Sequence, residues 1–293
     1  MFEGFEVLRN APMREYTTLR LGGPADWLAF PRNRGEIDAL IREARSSDMP
    51  VTVIGHGSNL LVLDGGIRGL VIRVEKNMRE IRIEGNRLTA EAGAMLISAA
   101  QAAAAAGLSG LEFAGGIPGT VGGGVTMNAG AYGGEIAQVI VRAECLREDG
   151  TVICLDREAL GLGYRHSAVM DQGLIVTEAV FDLVPGTEEE IRRAMAELNA
   201  RRAEKQPLDL PSAGSTFKRP EGAFAAALID QCGRKGYSVG GARVSEKHAG
   251  FLVNTGDSSA DFLTLMRQVQ RIVAERAGIL LEPEIRIVGE ENT

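Results

Sequence analysis

A glycine-rich run in the middle of the chain constrains the fold more than any other feature of the sequence. Residues 107–134 contain 11 glycines in 28 positions, where average usage gives about 2. Disordered glycine-rich segments are usually rich in Ser, Gln or Lys as well, whereas this run carries Phe113, Val121 and Tyr132. The run is therefore predicted to be an ordered, backbone-lined wall of a ligand cavity, and a tightly packed structural loop is the alternative.

The charge balance and the apolar pattern exclude several classes of function. The 293 residues carry 32 basic and 39 acidic side chains, a net charge of −7, which gives no global positive field for a nucleic acid. No apolar run approaches the roughly 20 residues of a membrane span, and the first residues do not resemble a secretory signal. We therefore expect a cytoplasmic protein, monomeric, without nucleic-acid or membrane partners.

The cysteines and histidines indicate neither a disulfide framework nor a metal site. Cys145, Cys154 and Cys232 are odd in number and lack CxxC spacing. The three histidines do not stand in HExxH or another spacing typical of metal ligands. No metal is expected.

Hydrophobic periodicity predicts an α+β chain. An amphipathic helix is expected over 36–44 with Asn33 as its N-cap, followed by short β-branched strands in a small β-α-β unit. A hairpin is expected over 81–92, an alanine-rich helix over 95–106, and a second hairpin with a type I′ turn at Asp149-Gly150.

A change of texture after Pro185-Gly186 predicts a domain boundary. Thr187 and Glu190 form a capping-box pattern that opens a helix, and further helices are predicted around 224–231 and 259–277. The predicted boundaries divide the chain into segments 1–78, 79–186 and 187–293.

A shorter glycine loop follows the strand predicted at 51–54. Small residues in GHGSNL (55–60) expose successive backbone N–H groups, which can form an anion-binding nest for phosphate. Leu60 stands where the GxGxxG fingerprint needs its third glycine. A phosphate site and an ordinary turn are equally consistent with this loop taken by itself.

Six motifs, in order along the chain, resemble the UDP-N-acetylenolpyruvoylglucosamine reductase family. They are GHGSNLLV (55–62), AGGIPGTVGGGVTMNAGAYGGE (114–135), YRHS (164–167), GSTFKRP (214–220), GARVSEKHAGFLVN (241–254) and LEPEIRIVG (281–289). The resemblance covers about the whole chain. It implies a flavoenzyme of peptidoglycan precursor synthesis, with a two-subdomain FAD-binding fold like that of vanillyl-alcohol-oxidase-type flavoproteins and a C-terminal α+β substrate-binding domain. On the boundaries given above, FAD-binding subdomain 1 is 1–78, FAD-binding subdomain 2 is 79–186 and the substrate-binding domain is 187–293.

The resemblance also implies the ligands and their contacts. FAD is the bound cofactor, NADPH is the hydride donor, and UDP-N-acetylglucosamine enolpyruvate is reduced to UDP-N-acetylmuramate. The implied FAD contacts are Gly55, Gly57, Ser58, Asn59 and Leu60 in the first loop and Gly116, Ile117, Gly119, Thr120, Gly123, Asn128 and Gly130 in the second.

Arg165, Ser215 and Glu284 match the family's catalytic positions. Adding hydride to an enolpyruvyl ether pushes negative charge into the substrate carboxylate, where Arg165 would meet it. Glu284 would donate a hydrogen bond to the same group as a protonated acid, which needs a pKa raised by burial. Ser215 would donate the proton, helped by Lys218 or a water. Without the family, a surface charge explains Arg165 and an exposed strand edge explains Glu284.

A local basic excess indicates an anionic substrate independently of the family. Residues 201–247 hold nine basic and five acidic side chains in an otherwise acidic chain, and Lys218 and Arg219 are the candidates for the UDP diphosphate. A solvated helix face over 201–205 explains roughly half of this excess. Arg219 stands where many family members have asparagine, and the chain lacks the longer subgroup's tyrosine loop.

Two other functions remain as alternatives at this point. A different FAD oxidoreductase, such as an alcohol oxidase, would share the cofactor fold, but GSTFKRP and LEPEIRIVG belong to the substrate side of the reductase. A non-catalytic nucleotide-sugar-binding protein would have no need of Arg165, Ser215 and Glu284 together.

Overall fold

The segments predicted as helices form helices, and local caps explain where they begin. The structure, a computed structural model, describes residues 1–292. The Asn33 side chain accepts a hydrogen bond from the Glu36 N–H at 3.1 Å, as an N-cap should. The helices of the described chain are α1 (Arg34–Arg45), α2 (Leu96–Ala105), α3 (Val121–Thr126), α4 (Ala168–Asp171), α5 (Glu188–Lys205), α6 (Ala225–Gln231) and α7 (Ser259–Ala277).

The strands are mostly short. The longest have seven or eight residues, and several have only two. The strands are β1 (Val7–Pro12), β2 (Pro24–Ala29), β3 (Val51–Ile54), β4 (Leu60–Val62), β5 (Ile67–Arg73), β6 (Ile81–Glu84), β7 (Arg87–Glu91), β8 (Leu108–Ser109), β9 (Gly130–Ala131), β10 (Gly134–Glu135), β11 (Ile140–Leu146), β12 (Val152–Asp156), β13 (Ile175–Asp182), β14 (Val184–Pro185), β15 (Ser238–Val239), β16 (Ala242–Val244), β17 (Leu252–Asn254) and β18 (Arg286–Val288).

Packing divides the chain into two compact units that are not continuous in sequence. Unit 1 comprises Met1–Leu8, Leu28–His56 and Gly69–Arg202, and unit 2 comprises Arg9–Trp27, Gly57–Arg68 and the described residues from Ala203 onward. Most of α5 therefore packs with unit 1, because Ile191 and Met195 on its apolar stripe are buried there. The packing does not change at residue 186, and the division into domains by ligand stays a prediction.

Unit 1 is built on an antiparallel sheet of five strands in the order β12-β11-β13-β7-β6. On β7, the buried Leu88 and Ala90 alternate with less buried neighbours, as expected of a strand with one buried face. The central strand β13 is buried at most positions, including Ala179 and Phe181. The small side chains of α2 allow this helix to pack closely on β6 and β7, and α3 contacts β7 and β13. Elsewhere in the unit, β3 pairs in parallel with β5.

The turn between β11 and β12 differs from the predicted type I′ turn. Of Asp149 and Gly150, only Gly150 has a positive φ, 86°, whereas a type I′ turn needs one at both central residues. The Gly150 N–H donates to the Arg147 carbonyl at 3.0 Å, and the Asp149 carboxylate accepts from the Thr151 N–H at 2.8 Å. The prediction was wrong in turn type because the aspartate side chain stabilises a longer loop.

Unit 2 packs α6 and α7 with the antiparallel sheet β15-β16-β17. Its apolar core includes Phe262, Leu265, Met266 and Val269 of α7, as the helical periodicity predicted. Helix α7 ends at Gly278, whose φ of 69° is the left-handed C-cap conformation. Strand β18 pairs in parallel with β4, which follows the first glycine loop.

Asp64 caps the start of α7 from a distant part of the sequence. Its carboxylate accepts hydrogen bonds from the N–H groups of Ser259 at 2.8 Å and Ala260 at 3.3 Å and from the Ser258 hydroxyl at 3.1 Å. Burial opposes ionisation of Asp64, but these hydrogen bonds outweigh it and hold the pKa of the carboxyl below its usual range. The charge also lies at the positive end of the helix dipole.

No helix among residues 1–292 has both the length and the apolar character that a membrane crossing requires.

We expect Asp64→Ala to lower the free energy of unfolding by about 1–2 kcal/mol at neutral pH, because α7 loses a charged cap. Since the folded pKa of Asp64 lies below its unfolded value of about 3.9, the charge stabilises the fold above that pH and stops doing so as the pH falls through the folded pKa. Urea unfolding of both proteins should show a gap that narrows below pH of about 4.

Asp209→Ala provides the control for this prediction, because Asp209 is an exposed carboxylate of the same unit. It should leave the unfolding midpoint within experimental error of wild type at every pH. A gap for Asp64→Ala that is the same in acid as at neutral pH would contradict the role of the charge.

Candidate functional site

The glycines of α3 are explained mostly by packing within unit 1. A Cβ on Gly122 would lie 2.9 Å from the Ala92 Cβ, and a Cβ on Gly124 would lie 3.0 Å from the Leu96 Cδ1. Gly123 is exposed, and a Cβ there would meet only the Thr120 Oγ1 at 3.5 Å. Gly123 is therefore the α3 glycine whose backbone is open to a ligand.

The backbone donors at the start of α3 are used inside the protein. The Val121 N–H donates to the Ala94 carbonyl at 2.7 Å, the Gly122 N–H donates to the Ala92 carbonyl at 2.9 Å, and the Gly123 N–H donates to the Thr120 hydroxyl at 3.3 Å. These groups do not form a nest of free donors. In this part of the run, the tightly packed loop given above as the alternative describes the structure.

The first glycine loop does present free donors. No residue among 1–292 accepts a hydrogen bond from the N–H groups of residues 55–58. Gly57 has a φ of 75°, and a Cβ there would lie 2.3 Å from the Tyr16 carbonyl oxygen, so only glycine fits. Unpaired N–H groups on a glycine loop after a strand suit the oxygens of a diphosphate, which is the chemistry that FAD brings to such a loop.

Thr120 connects the two glycine loops within unit 1. Its side chain is 1% exposed, and a Cβ on Gly55 would lie 2.3 Å from the Thr120 Oγ1 and 3.3 Å from its Cβ. A β-branched side chain has little rotamer freedom, so Thr120 cannot swing away. Two predicted FAD-contact residues, one from each loop, therefore lie side by side.

Arg165 lies in a tight turn that is held against the second glycine run. The Gly163 and His166 backbones are paired across the turn, and Arg165 has a φ of 53°, a conformation that costs a non-glycine residue about 1 kcal/mol or more. Its guanidinium donates to the carbonyls of Asn128 at 3.5 Å and Gly130 at 3.3 Å. Arg165 is half-buried rather than a freely solvated surface charge.

The Asn128 side chain fixes this turn. Its amide donates to the Gly163 carbonyl at 3.0 Å, and its amide oxygen accepts from the Ala137 N–H at 2.9 Å. The residue is 1% exposed, and its side chain is hydrogen-bonded within the protein. Any contact of Asn128 with a cofactor is therefore restricted to its backbone.

Ser215 and Glu284 lie on neighbouring segments of unit 2. The Glu284 N–H donates to the carbonyl of Thr216, the residue after Ser215, at 2.8 Å, and the Lys218 N–H donates to the Glu282 carbonyl at 2.8 Å. The Asn59 amide donates to the Glu284 carbonyl at 3.1 Å. Unit 2 thus brings two predicted catalytic residues and one predicted FAD residue to one place.

Thr216 fixes the backbone beside Ser215. It is 1% exposed. Its N–H donates to the Gly250 carbonyl at 2.9 Å, and its hydroxyl oxygen accepts from the Leu252 N–H at 3.1 Å. Together with the hydrogen bond from the Glu284 N–H to the Thr216 carbonyl, these contacts fix the backbone next to Ser215 through three hydrogen bonds.

Lys218 and Arg219 are partly exposed cations in the same unit. The Lys218 Nζ lies 3.4 Å from the Glu282 Oε2, in a pair whose side chains are 39% and 71% exposed, so their interaction is weak. The Arg219 guanidinium lies 4.6 Å from the centroid of the Phe224 ring. Both side chains are accessible to solvent.

The remaining predicted positions serve mainly as backbone connections. The Gly119 carbonyl accepts from the Leu96 N–H at 2.9 Å, Leu60 pairs with Arg286 at the start of β4, and Ile117 is half-buried. A Cβ on Gly130 would lie 2.7 Å from the Gly134 carbonyl. These contacts show where each residue lies, and they do not show whether it binds a ligand.

Side chains of α5 lie close to Gly116. A Cβ there would lie 2.4 Å from the Asn199 Oδ1 and 2.9 Å from the Arg202 Nη1, so these side chains would have to shift to make room for it. The sequence analysis did not single out Asn199 or Arg202. The two consecutive arginines, Arg201 and Arg202, were the sequence feature that could have drawn attention to this part of α5.

Comparison with known proteins first assigns the chain to the flavoproteins. Residues 25–156 match the family model described as "FAD binding domain". Residues 206–288 match the model described as "UDP-N-acetylenolpyruvoylglucosamine reductase, C-terminal domain".

Relatives that cover nearly the full length identify the family. The chain is 53% identical to the UDP-N-acetylenolpyruvoylglucosamine reductase of Agathobacter rectalis, over 97% of this chain and 94% of that protein. It is 51% identical to the enzyme of the same name from Levilactobacillus brevis, over 100% of this chain and 96% of that protein. The chain belongs to the UDP-N-acetylenolpyruvoylglucosamine reductase family.

A solved structure agrees with this assignment. The crystal structure of UDP-N-acetylenolpyruvylglucosamine reductase from Thermus caldophilus matches with a TM-score of 0.83 and 39% identity, over 97% of this chain and 99% of that chain. The predicted family resemblance and the predicted α+β FAD-binding fold with a C-terminal domain are confirmed.

We expect Gly55→Ala to lower the free energy of unfolding of the FAD-free protein by about 1–3 kcal/mol, because the new methyl group collides with a stiff, buried Thr120. Gly123→Ala is the matched control, since it places the same methyl group on an exposed helical position. The control should be neutral or stabilising by up to about 1 kcal/mol. Urea unfolding of the FAD-free proteins measures the stability of both variants. Equal stability would show that the Thr120 side chain moves to make room for the methyl group.

Proposed function

We propose that this chain reduces UDP-N-acetylglucosamine enolpyruvate to UDP-N-acetylmuramate with NADPH as the hydride donor and FAD as the bound cofactor. The observation that carries the proposal is the match to reductases of that name over nearly the full chain, together with Arg165, Ser215 and Glu284 in their motifs. The product is a precursor of peptidoglycan.

FAD is held by residues of both glycine loops. The first loop contributes the free N–H groups around Gly55, Gly57, Ser58, Asn59 and Leu60, which suit the diphosphate. The second contributes Gly116, Ile117, Gly119, Thr120, Gly123, Asn128 and Gly130, of which Gly123 has the most open backbone. For Gly116 and Asn128, the contact is through backbone groups, because α5 fills the space beside Gly116 and the Asn128 side chain is hydrogen-bonded within unit 1.

Arg165 stabilises the negative charge that develops on the substrate carboxylate. FAD, when bound, takes two electrons from NADPH and passes them to the substrate as hydride. A guanidinium whose position is fixed beforehand costs no reorganisation when the charge appears. The turn at Gly163–His166 and the two carbonyls that accept from Arg165 fix its position, and this supports the role.

Ser215 gives the proton to the substrate carbon next to the one that receives hydride, and Glu284 acts beside the substrate carboxylate. The adjacency of their segments and the three contacts of Thr216 support these roles. Lys218 and Arg219 bind the UDP diphosphate, as partly exposed cations can.

Cytoplasmic location, a monomeric state and the absence of nucleic-acid and membrane partners also belong to this proposal. The acidic net charge of −7 supports the exclusion of nucleic acid.

The purified protein should be yellow and should oxidise NADPH beyond the one equivalent that reduces its FAD only when UDP-N-acetylglucosamine enolpyruvate is present. Absorbance of NADPH with and without the sugar nucleotide measures this. NADPH consumption that ignores the sugar would indicate a different FAD oxidoreductase. A protein that binds the sugar nucleotide but neither FAD nor NADPH would indicate a non-catalytic binding protein.

Ser215→Ala should leave the reaction with NADPH near its normal rate and slow the reaction with the sugar nucleotide by roughly 100-fold or more, because proton donation is lost. Stopped-flow absorbance separates the two half-reactions. Ser238→Ala removes an exposed hydroxyl of the same unit and should change neither. An equal loss in both half-reactions would show that Ser215 has a structural role.

A further inference from the structure

The loop between β16 and β17 in unit 2 is held together by its own hydrogen bonds. The hydroxyl of Ser245, a residue 3% exposed, accepts from the N–H groups of Lys247 at 3.2 Å and His248 at 3.3 Å. The Phe251 N–H donates to the His248 carbonyl at 3.0 Å, and the Ser245 N–H donates to the Phe251 carbonyl at 2.9 Å. These residues form a compact turn, which we call the 245–251 loop.

The imidazole of His248 accepts a backbone hydrogen bond inside this loop. The Gly250 N–H donates to the His248 Nδ1 at 3.2 Å, and since a peptide nitrogen only donates, Nδ1 carries no proton. The ring is therefore neutral, with its proton on Nε2. A Cβ on Gly250 would lie 3.0 Å from the His248 Cε1 and 3.2 Å from the Ala226 Cβ of α6, so the ring lies directly against the Gly250 backbone. The Phe251 ring packs edge-to-face on the imidazole, with 5.0 Å between the centroids.

The same loop holds the backbone beside Ser215. The Gly250 carbonyl accepts from the Thr216 N–H at 2.9 Å, and the Leu252 N–H donates to the Thr216 hydroxyl at 3.1 Å. Gly250 is thus hydrogen-bonded through both of its backbone groups, with its N–H on the His248 ring and its carbonyl on the residue that follows Ser215. A displacement of Gly250 would therefore reach the backbone next to the predicted proton donor.

Protonation of His248 would break this arrangement. The protonated ring carries an N–H at both nitrogens and has no acceptor left, so its Nδ1–H would face the Gly250 N–H. Gly250 is buried, and a buried donor that loses its acceptor costs free energy. The contact between His248 and Gly250 therefore exists only with the neutral ring.

The surroundings of His248 keep the ring neutral at neutral pH. Burial lowers the pKa of His248, and the positive charge of Lys235 lowers it further, while a contact with the residue's own backbone opposes them in part. Lys235 follows α6 and pairs with Asp230 of that helix at 2.7 Å. The charged side chains of the loop itself, Glu246 and Lys247, are exposed. The contact is thus lost only as the pH falls below the ordinary histidine value of about 6.5.

We propose that His248 is a positioning residue for proton donation by Ser215: its neutral ring fixes Gly250, and Gly250 fixes the backbone of Thr216 next to the serine. The proposal rests on the proposed function, in which Ser215 gives the proton to the substrate. Small displacements of a reacting group reduce rates steeply. The contact should therefore affect the half-reaction with the sugar nucleotide and leave the half-reaction with NADPH unchanged.

The test compares His248→Leu, which removes the acceptor of the Gly250 N–H, with His248→Asn. An asparagine oxygen accepts from the N–H two residues on, the same spacing as in the native contact, and it does not titrate. Stopped-flow absorbance of the FAD-loaded enzymes follows each half-reaction at neutral pH. His248→Leu should slow the half-reaction with the sugar nucleotide by about tenfold and leave the one with NADPH near wild type, whereas His248→Asn should restore both.

The pH profile distinguishes positioning by the neutral ring from a general effect on packing. In the wild type, the half-reaction with the sugar nucleotide should slow by about tenfold as the pH falls through the pKa of His248, because the protonated ring cannot accept from Gly250. His248→Asn should lack this decrease. Glu246→Gln, which removes an exposed charge from the same loop, is the matched control and should keep it.

The proposal is overturned by wild-type rates in His248→Leu, by an equal loss in both of its half-reactions, or by an unchanged acid decrease in His248→Asn. If His248→Leu yields no folded yellow protein, the comparison of His248→Asn with wild type decides. A normal rate with the sugar nucleotide in Ser215→Ala would instead reject the proposed proton donor. A slow Ser215→Ala beside an unaffected His248→Leu would reject the role of His248 alone, so the two failures are distinguishable.

Discussion

The close approach of backbone to side chain around the glycine-rich run is the constraint on which unit 1 depends. Gly122 lies against Ala92, Gly124 against Leu96, and Gly116 against Asn199 and Arg202, with 2.4–3.0 Å between a Cβ on each glycine and the nearest of these atoms. Because interiors are close-packed, a Cβ on Gly122 would meet the Cβ and backbone of Ala92, and at Gly116 and Gly124 the neighbouring side chains would have to shift. The run is thus an ordered structural element, and a smaller part of it than its composition suggests is free to face a ligand.

Unit 2 places its functional residues by a different means. Its key side chains and backbone groups are held by hydrogen bonds between segments far apart in sequence, such as Asn59 with Glu284 and Asp64 with the start of α7. Thr216 is buried and bonded on three sides, so the neighbouring Ser215 is carried by a rigid backbone. The proton donation proposed for Ser215 needs this kind of support, since small displacements of a reacting group reduce rates steeply.

Local sequence signals predicted the elements of this fold well, and the long-range contacts poorly. The Asn33 cap, the α2 alanines and the periodicity of α7 act over a few residues, and the structure confirms each. The turn at Gly150 was mistaken because the Asp149 carboxylate bonds to Thr151, which a dipeptide pattern does not show. Asp64 and Ser259 of α7 are 195 residues apart in sequence, and Arg202 and Gly116 are 86 residues apart. No local sequence pattern predicts contacts over such separations. Family motifs supplied the candidate catalytic residues, which composition and periodicity alone would have assigned to the surface.

Three of the arginines discussed above rest on exposed aromatic rings: Arg165 on Tyr164, Arg201 on Tyr132 and Arg219 on Phe224. An aromatic face attracts and orients a guanidinium without cancelling its charge. Each of these three rings therefore has a local role in orienting a guanidinium, beyond that of exposed apolar surface.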